Sequence, residues 1–218
     1  MNLLAIDTST DKATVAIAVR GEVYSEEQGS MRQHAEFLLP MIERLLTKAG
    51  LATSQLDGIV FGRGPGSFTG LRIACSVAKG LAYAHDLPMY PVSSLAAIAN
   101  EVGLDNRVLT MIDARMQQVY WAFFDANTVD GVEQVSSVDD IVLPSTEPFI
   151  LAGVGFESYA QALPEKIKAQ ISQQSIVFPT AQSMIRLVQS GQIASVSAEA
   201  ALPVYVRNQV TQGGESRG

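Results

Sequence analysis

A chain of 218 residues in which 47% are hydrophobic and 17% charged has enough apolar material for one large or two small cores. Its net charge is −7 and its 15 Lys and Arg are scattered singly, so it lacks the cationic surface from which nucleic-acid binding draws most of its affinity. A role on nucleic acid would need a partner to supply that charge. No apolar run approaches the ~20 residues of a membrane span, the start MNLLAIDTST carries no basic segment, and the single cysteine, Cys75, excludes an internal disulfide. Together these predict a cytoplasmic protein.

The segment LLAIDTS reads as a buried strand, and ATVAIAV places Val15, Ile17 and Val19 on one face by period-two alternation. Arg20-Gly21-Glu22 turns the chain into a third strand, VYSEE. A helix follows, with Ser30 as its cap, Gln33 three residues on, an apolar stripe of Ala35, Leu38, Leu39, Ile42, Leu45, Leu46 and Ala49, and Gly50 as its stop. Pro40 inside it removes one backbone hydrogen bond and predicts a bend. Then come a strand at GIVFG, the loop GRGPGSFTG, a helix from Phe68 to about His85, and a short strand at MYPV.

The second half opens in the same way. RVLTMIDA and QVYWAFFDA read as strands, Asp130-Gly131 as a turn, GVEQV as a third strand, FILAGVG as a strand and TAQSMIRLVQSG as a helix. Aligning the halves sets Ile6-Asp7 on Ile112-Asp113, an offset of 113 − 7 = 106 residues. The repeat predicts a duplicated βββαβα unit, with subdomains at residues 1–103 and 104–208 and a disordered polar tail at 209–218. Asp7 and Asp113 then end equivalent strands. Either both face a shared cleft, where ligands of open α/β sheets bind, or each caps the turn that follows it.

The glycine loop fits none of the phosphate or nucleophile motifs. No lysine stands where a P-loop needs one, neither Gly62 nor Gly64 begins a G-x-G-x-x-G, and Ser67 follows Gly66 directly, unlike a nucleophile elbow. Ser67 is better read as the cap of the next helix, whose free N-terminus holds an anion weakly at best. The loop's third physical use is to let another backbone come very close. His34 and His85 belong to no motif, Cys75 sits among apolar neighbours, and no zinc-ligand spacing occurs.

The stretches LAIDTSTDKATVAI, RQHAEFLLPMI, GRGPGSFTGLRIACSVAKGLA, VSSLAAIA, IDARMQQVYWAFF and PVYVRN, spread from residue 3 to 208, closely resemble in order the TsaB (YeaZ) family of bacteria. The resemblance implies an α/β protein with the duplicated actin-like (ASKHA, ribonuclease H-like) fold, the second subdomain reduced. It also implies a part in placing threonylcarbamoyl on the adenosine beside the tRNA anticodon. Family members act with a catalytic paralogue, TsaD, and a small ATPase, TsaE, so both are implied partners, with tRNA contacted only through the complex and a homodimer open for the isolated chain. TsaD holds a metal through two histidines four apart. Ser94 and Ile98 stand at those positions here, so no metal and no catalytic residue is expected. Glycines that normally follow the strand-end aspartates are replaced by Ser9 and Arg115, and only Gly153 and Gly155 echo the adenosine motif. Weak ATP or ADP binding in a cleft near Asp7, Ser67, Asp113, Gly153 and Gly155 stays open. The rival readings are a lone actin-like ATPase or sugar kinase and a glycoprotease-like peptidase, the latter lacking a nucleophile paired with a base.

A partner surface is also expected. Gly70, Ala74, Ala78 and Ala82 recur every four residues as a ridge of small side chains that permits close helix approach. Phe37 and Met41, one turn apart, are expected to point away from the core stripe of the first long helix. In the TsaB-like proteins these two helices form the pairing surface.

Overall fold

The computed structural model describes residues 1–29 and 34–209. The Ser30 and Gln33 cap expected for the first helix, and the tail from residue 210, lie outside them. Strand β1 (Leu3–Asp7) pairs antiparallel with β2 (Lys12–Val19), which pairs with β3 (Glu22–Gly29); on its other side β1 runs parallel to β4 (Gly58–Gly64), and β4 to β5 (Met89–Ser93). The second sheet repeats this plan. Strand β6 (Val108–Arg115) pairs antiparallel with β7 (Gln118–Phe124) and β7 with β8 (Gln134–Ser136), while β9 (Phe149–Val154) and β10 (Ile171–Ile176) run parallel on the other side. The orders β3-β2-β1-β4-β5 and β8-β7-β6-β9-β10 are the same topology twice.

The helices show where the copies have diverged. In the first half α1 (His34–Ala49) joins β3 to β4, and α2 (Phe68–His85) joins β4 to β5. Between β9 and β10 there is only the four-residue α4 (Glu165–Lys168) with short 3₁₀ turns, and no α-helix joins β8 to β9 among the described residues. Each half ends on a helix, α3 (Ser94–Val102) and α5 (Ala181–Gln189), and these two cross over: α3 packs on β6, β7 and β9, and α5 on β1, β2 and β4. They form the middle layer of a core to which both sheets contribute, through Leu3, Ala5 and Val60 on one side and Ile112, Ala122 and Ala152 on the other. The strand pattern explains this. Strands β1 and β2 are buried on both faces, so the first sheet needs α1 and α2 on one side and α5 on the other.

A second cluster, including Leu4, Ile6, Phe61, Leu38 and Met41, fills the space between the first sheet and α1–α2. Among the described residues no helix is long and apolar enough to cross a membrane.

Candidate functional site

The glycine loop presses on the chain's own β1–β2 turn. A Cβ on Gly66 would lie 2.3 Å from the Ser9 carbonyl oxygen, and one on Gly70 would lie 1.8 Å from that of Thr8. The Ser67 amide donates to the Ser9 carbonyl at 2.7 Å, and the Thr8 hydroxyl donates to the Gly70 carbonyl at 2.7 Å. Ser67 caps α2, its Oγ accepting from the Gly70 amide at 3.3 Å. The bare backbone therefore lets two segments of one chain touch without side chains between them. Gly70→Ala is expected to cost about 3 kcal/mol, the upper end of overpacking, because backbone rather than a flexible side chain must yield. Urea unfolding of the variant checks this, and a loss below about 1 kcal/mol would show that the turn can move aside.

The two strand-end carboxylates have gone different ways. Asp7 is completely buried. Its Oδ1 accepts from the Ser9 amide (3.1 Å) and hydroxyl (2.8 Å), while Oδ2 has no hydrogen-bond partner and lies where Gly62 leaves room for it. Burial pushes its pKa up to about 7, against the lowering effect of the Ser9 hydrogen bonds. Asp113 is partly exposed and fully engaged. Its Oδ1 accepts from the Arg115 amide (2.8 Å) and the Tyr159 hydroxyl (2.9 Å), and its Oδ2 pairs with the Arg115 guanidinium at 3.2 Å. Each aspartate thus caps the turn after it through the residue two places on, Ser9 or Arg115. Those are the positions where close approach to a phosphate would call for glycine.

Between the two halves lies a cleft of about 610 Å³, with Ser9, Thr10, Ser67 and Thr69 on one wall and Asp113, Arg115 and Gly155 on the other. Of the residues expected near a nucleotide, Ser67, Asp113 and Gly155 do line it. Asp7 does not, because Ser9 and the β1–β2 turn close over it. Gly153 does not either: at φ +143° it sits in β9, where a Cβ would meet the Met111 carbonyl at 1.8 Å. The donor set is a poor fit to a metal-bound triphosphate, since one carboxylate is sunk in the core and the other is spent on Arg115. Among the described residues no three His, Cys, Asp or Glu side chains gather at a metal-binding distance. Ser94 and Ile98 are completely buried on α3. His85 bonds Thr53 through Nε2 at 2.9 Å, and Cys75 is buried beneath the Ala201 carbonyl.

The rim of the cleft holds residues that local sequence patterns miss. The Arg72 guanidinium lies 3.8 Å above the Phe68 ring, and its Nε donates to the Tyr205 hydroxyl at 3.1 Å. Arg207 reaches the β6–β7 turn. The contacts of Tyr205 with Arg72 and of Arg207 with the β6–β7 turn span 133 and 93 residues of chain, so no short window shows them; the segment PVYVRN within the family resemblance was the one pointer.

The expected partner ridge requires a correction. Gly70, Ala74, Ala78 and Ala82 are buried and turned toward the chain's own first sheet. Their small size lets α2 lie close on β1 and β4. Met41 is likewise completely buried. Of the six residues only Phe37 reaches the surface; it is half-buried and, like Leu46, Ile73 and Val77, packs against the same cluster from outside. The outward faces of α1 and α2 also carry Leu39 and Tyr83, 55% and 62% exposed.

Comparison with known proteins agrees with this architecture. Residues 22–207 match the model of the family described as TsaD: tRNA N6-adenosine threonylcarbamoyltransferase. The tRNA threonylcarbamoyladenosine biosynthesis protein TsaB of Haemophilus influenzae is 36% identical over 97% of this chain and 95% of its own. Its Escherichia coli counterpart is 34% identical over 96% of each. The solved structure of YeaZ from Pseudomonas aeruginosa superposes with a TM-score of 0.83 at 35% identity, covering 94% of this chain and 99% of that one. With the same duplicated actin-like fold and near-complete coverage, the chain belongs to the TsaB (YeaZ) family of tRNA threonylcarbamoyladenosine biosynthesis proteins.

Proposed function

We propose that the chain is a non-catalytic subunit of threonylcarbamoyl transfer to N6 of the adenosine next to the anticodon in tRNAs that read codons beginning with A. It pairs with a TsaD-type catalytic paralogue and helps to dock a TsaE-type ATPase. One observation carries the non-catalytic part: Asp7 is sealed in the core with one oxygen bonded to Ser9, and Asp113 is engaged by Arg115 and Tyr159. Neither is left to hold a cation or orient a water. The acidic surface fits a subunit that leaves tRNA contact to its partner.

The pairing surface is assigned to the outward faces of α1 and α2, around Phe37, Ile73 and Val77 rather than the inward ridge. Gly80 lies on this face, seven residues beyond Ile73 and exposed, with nothing within 4 Å of an added Cβ. Gly80→Arg is therefore expected to leave the fold intact, or to stabilise it by up to about 1 kcal/mol through better helix propensity. Placing a charge in an apolar contact should weaken pairing by ~tenfold or more. Size-exclusion of the variant with the TsaD-type paralogue, alongside a tRNA-modification assay with the TsaE-type ATPase, tests the reading. Absence of co-elution of the unaltered chain would sink the subunit proposal; unchanged pairing of Gly80→Arg would move the surface elsewhere.

A further inference from the structure

The run Val204–Arg207 has partners on both halves of the molecule. Toward the first half, the Val204 amide donates to the Arg63 carbonyl of β4 at 2.7 Å, and Tyr205 accepts from Arg72 of α2 and stacks near Phe68, ring centroids 5.1 Å apart. Toward the second, Arg207 Nη2 donates to the Ala114 carbonyl at 2.6 Å and to Gln118 Oε1 at 3.1 Å. Four consecutive residues therefore cross the mouth of the cleft, and all four line it.

What Arg207 grips is a turn that needs holding. Arg115, Met116 and Gln117 all have positive φ, at 63°, 55° and 59°. Three successive non-glycine residues in the left-handed region persist only where their surroundings impose that conformation. One nitrogen of the Arg207 guanidinium, Nη2, gathers the Ala114 and Arg115 carbonyls and Gln118 Oε1, while Nη1 lies 3.7 Å from Met116 Sδ. Arg63, whose carbonyl accepts from Val204, also reaches Glu133 of the second half at 2.9 Å, a separate tie between the halves.

We propose that Val204–Arg207 is a latch: it pins the β6–β7 turn to the α2 end of the first half and sets how far the inter-subdomain cleft opens. Releasing Arg207 frees the turn and lets the cleft widen at its mouth. A partner that competes for Arg207 or covers Tyr205 would work the same device.

The test uses the full chain, spin-labelled at Thr69→Cys and Glu157→Cys, exposed positions on the two halves, the second lying two residues beyond the cleft-lining Gly155. With the latch intact, the pulsed-EPR distance distribution is expected to be narrow. In Arg207→Ala it should broaden and lengthen. In the unlabelled chain, exchange of the amides at residues 115–118 should rise by ~tenfold, with β1, β2 and α1 unchanged, as for a local opening. An unchanged distance distribution in Arg207→Ala, or exchange rising equally throughout both sheets, would overturn the latch. Should Arg207→Ala fail to fold, Tyr205→Ala carries the same readout: a widened distribution supports the proposal and a native one refutes it.

Discussion

Ala74→Arg is expected to unfold the chain, not merely to separate it from a partner. Ala74 is completely buried between α2 and the first sheet, with Ala78 and Ala82 in the same layer. An arginine there has no room for its stem, and the cluster its charge would enter is apolar. Overpacking alone costs about 1 to 3 kcal/mol, and an unpaired buried charge adds about 3 to 5 kcal/mol. Their sum rivals the whole stability of a domain, about 5 to 15 kcal/mol. Far-UV circular dichroism and size-exclusion of the isolated variant should show an aggregated or unfolded species. Gly80→Arg, on the opposite face of the same helix, should remain monodisperse. A folded Ala74→Arg chain that had lost only its partner would mean that α2 presents its small-residue ridge to the outside, contrary to the packing described above.

That contrast shows what sequence can and cannot convey. The period-four recurrence of Gly70, Ala74, Ala78 and Ala82 correctly predicts close approach. It is silent on what approaches, because a sheet and a partner helix make the same demand of small side chains. The same limit applied to the loop. Its glycines announced backbone contact, yet the contacting atoms belong to Thr8 and Ser9, about sixty residues earlier. The strands were legible wherever apolar residues alternated or ran together, as in β1, β2, β6 and β7. Strand β10, ISQQSI, was not: it is a polar edge strand held by parallel pairing with β9 and has no pattern of its own. The duplicated Ile-Asp was legible and gave the topology, since Asp7 and Asp113 do end the equivalent strands β1 and β6. Their different burial was not, because it depends on Gly62 and Met184 packing around Asp7, residues far from it in the chain.

The burial of Asp7 makes stability depend on pH in a way that one substitution should reverse. In the unfolded chain the carboxyl ionises near 3.8, whereas in the fold burial holds the proton until about 7. As pH rises between these values the unfolded state gives up a proton that the folded state keeps, so stability falls through that window and is level above it. Three units at 1.36 kcal/mol each give a loss of about 4 kcal/mol. Asp7→Asn cannot ionise and escapes this loss. The amide keeps an oxygen for the Ser9 amide and hydroxyl, but it sets an NH₂ where Oδ2 has no partner, at a cost of about 1 to 3 kcal/mol. By pH 4.5 the unaltered chain has lost only about 1 kcal/mol of this, so the variant should there be the less stable, by up to about 2 kcal/mol. At pH 8.5 it should be more stable, by about 1 to 3 kcal/mol. Urea midpoints for both proteins at the two pH values decide the matter, because every other titrating group is common to the pair and cancels. The reversal of sign is the signature: parallel pH profiles would show that Asp7 is ionised in the fold, with a counter-charge or water beside Oδ2. Pathway activity of the variant near neutral pH should stay close to that of the unaltered chain, since the carboxylate reaches neither the cleft nor a partner.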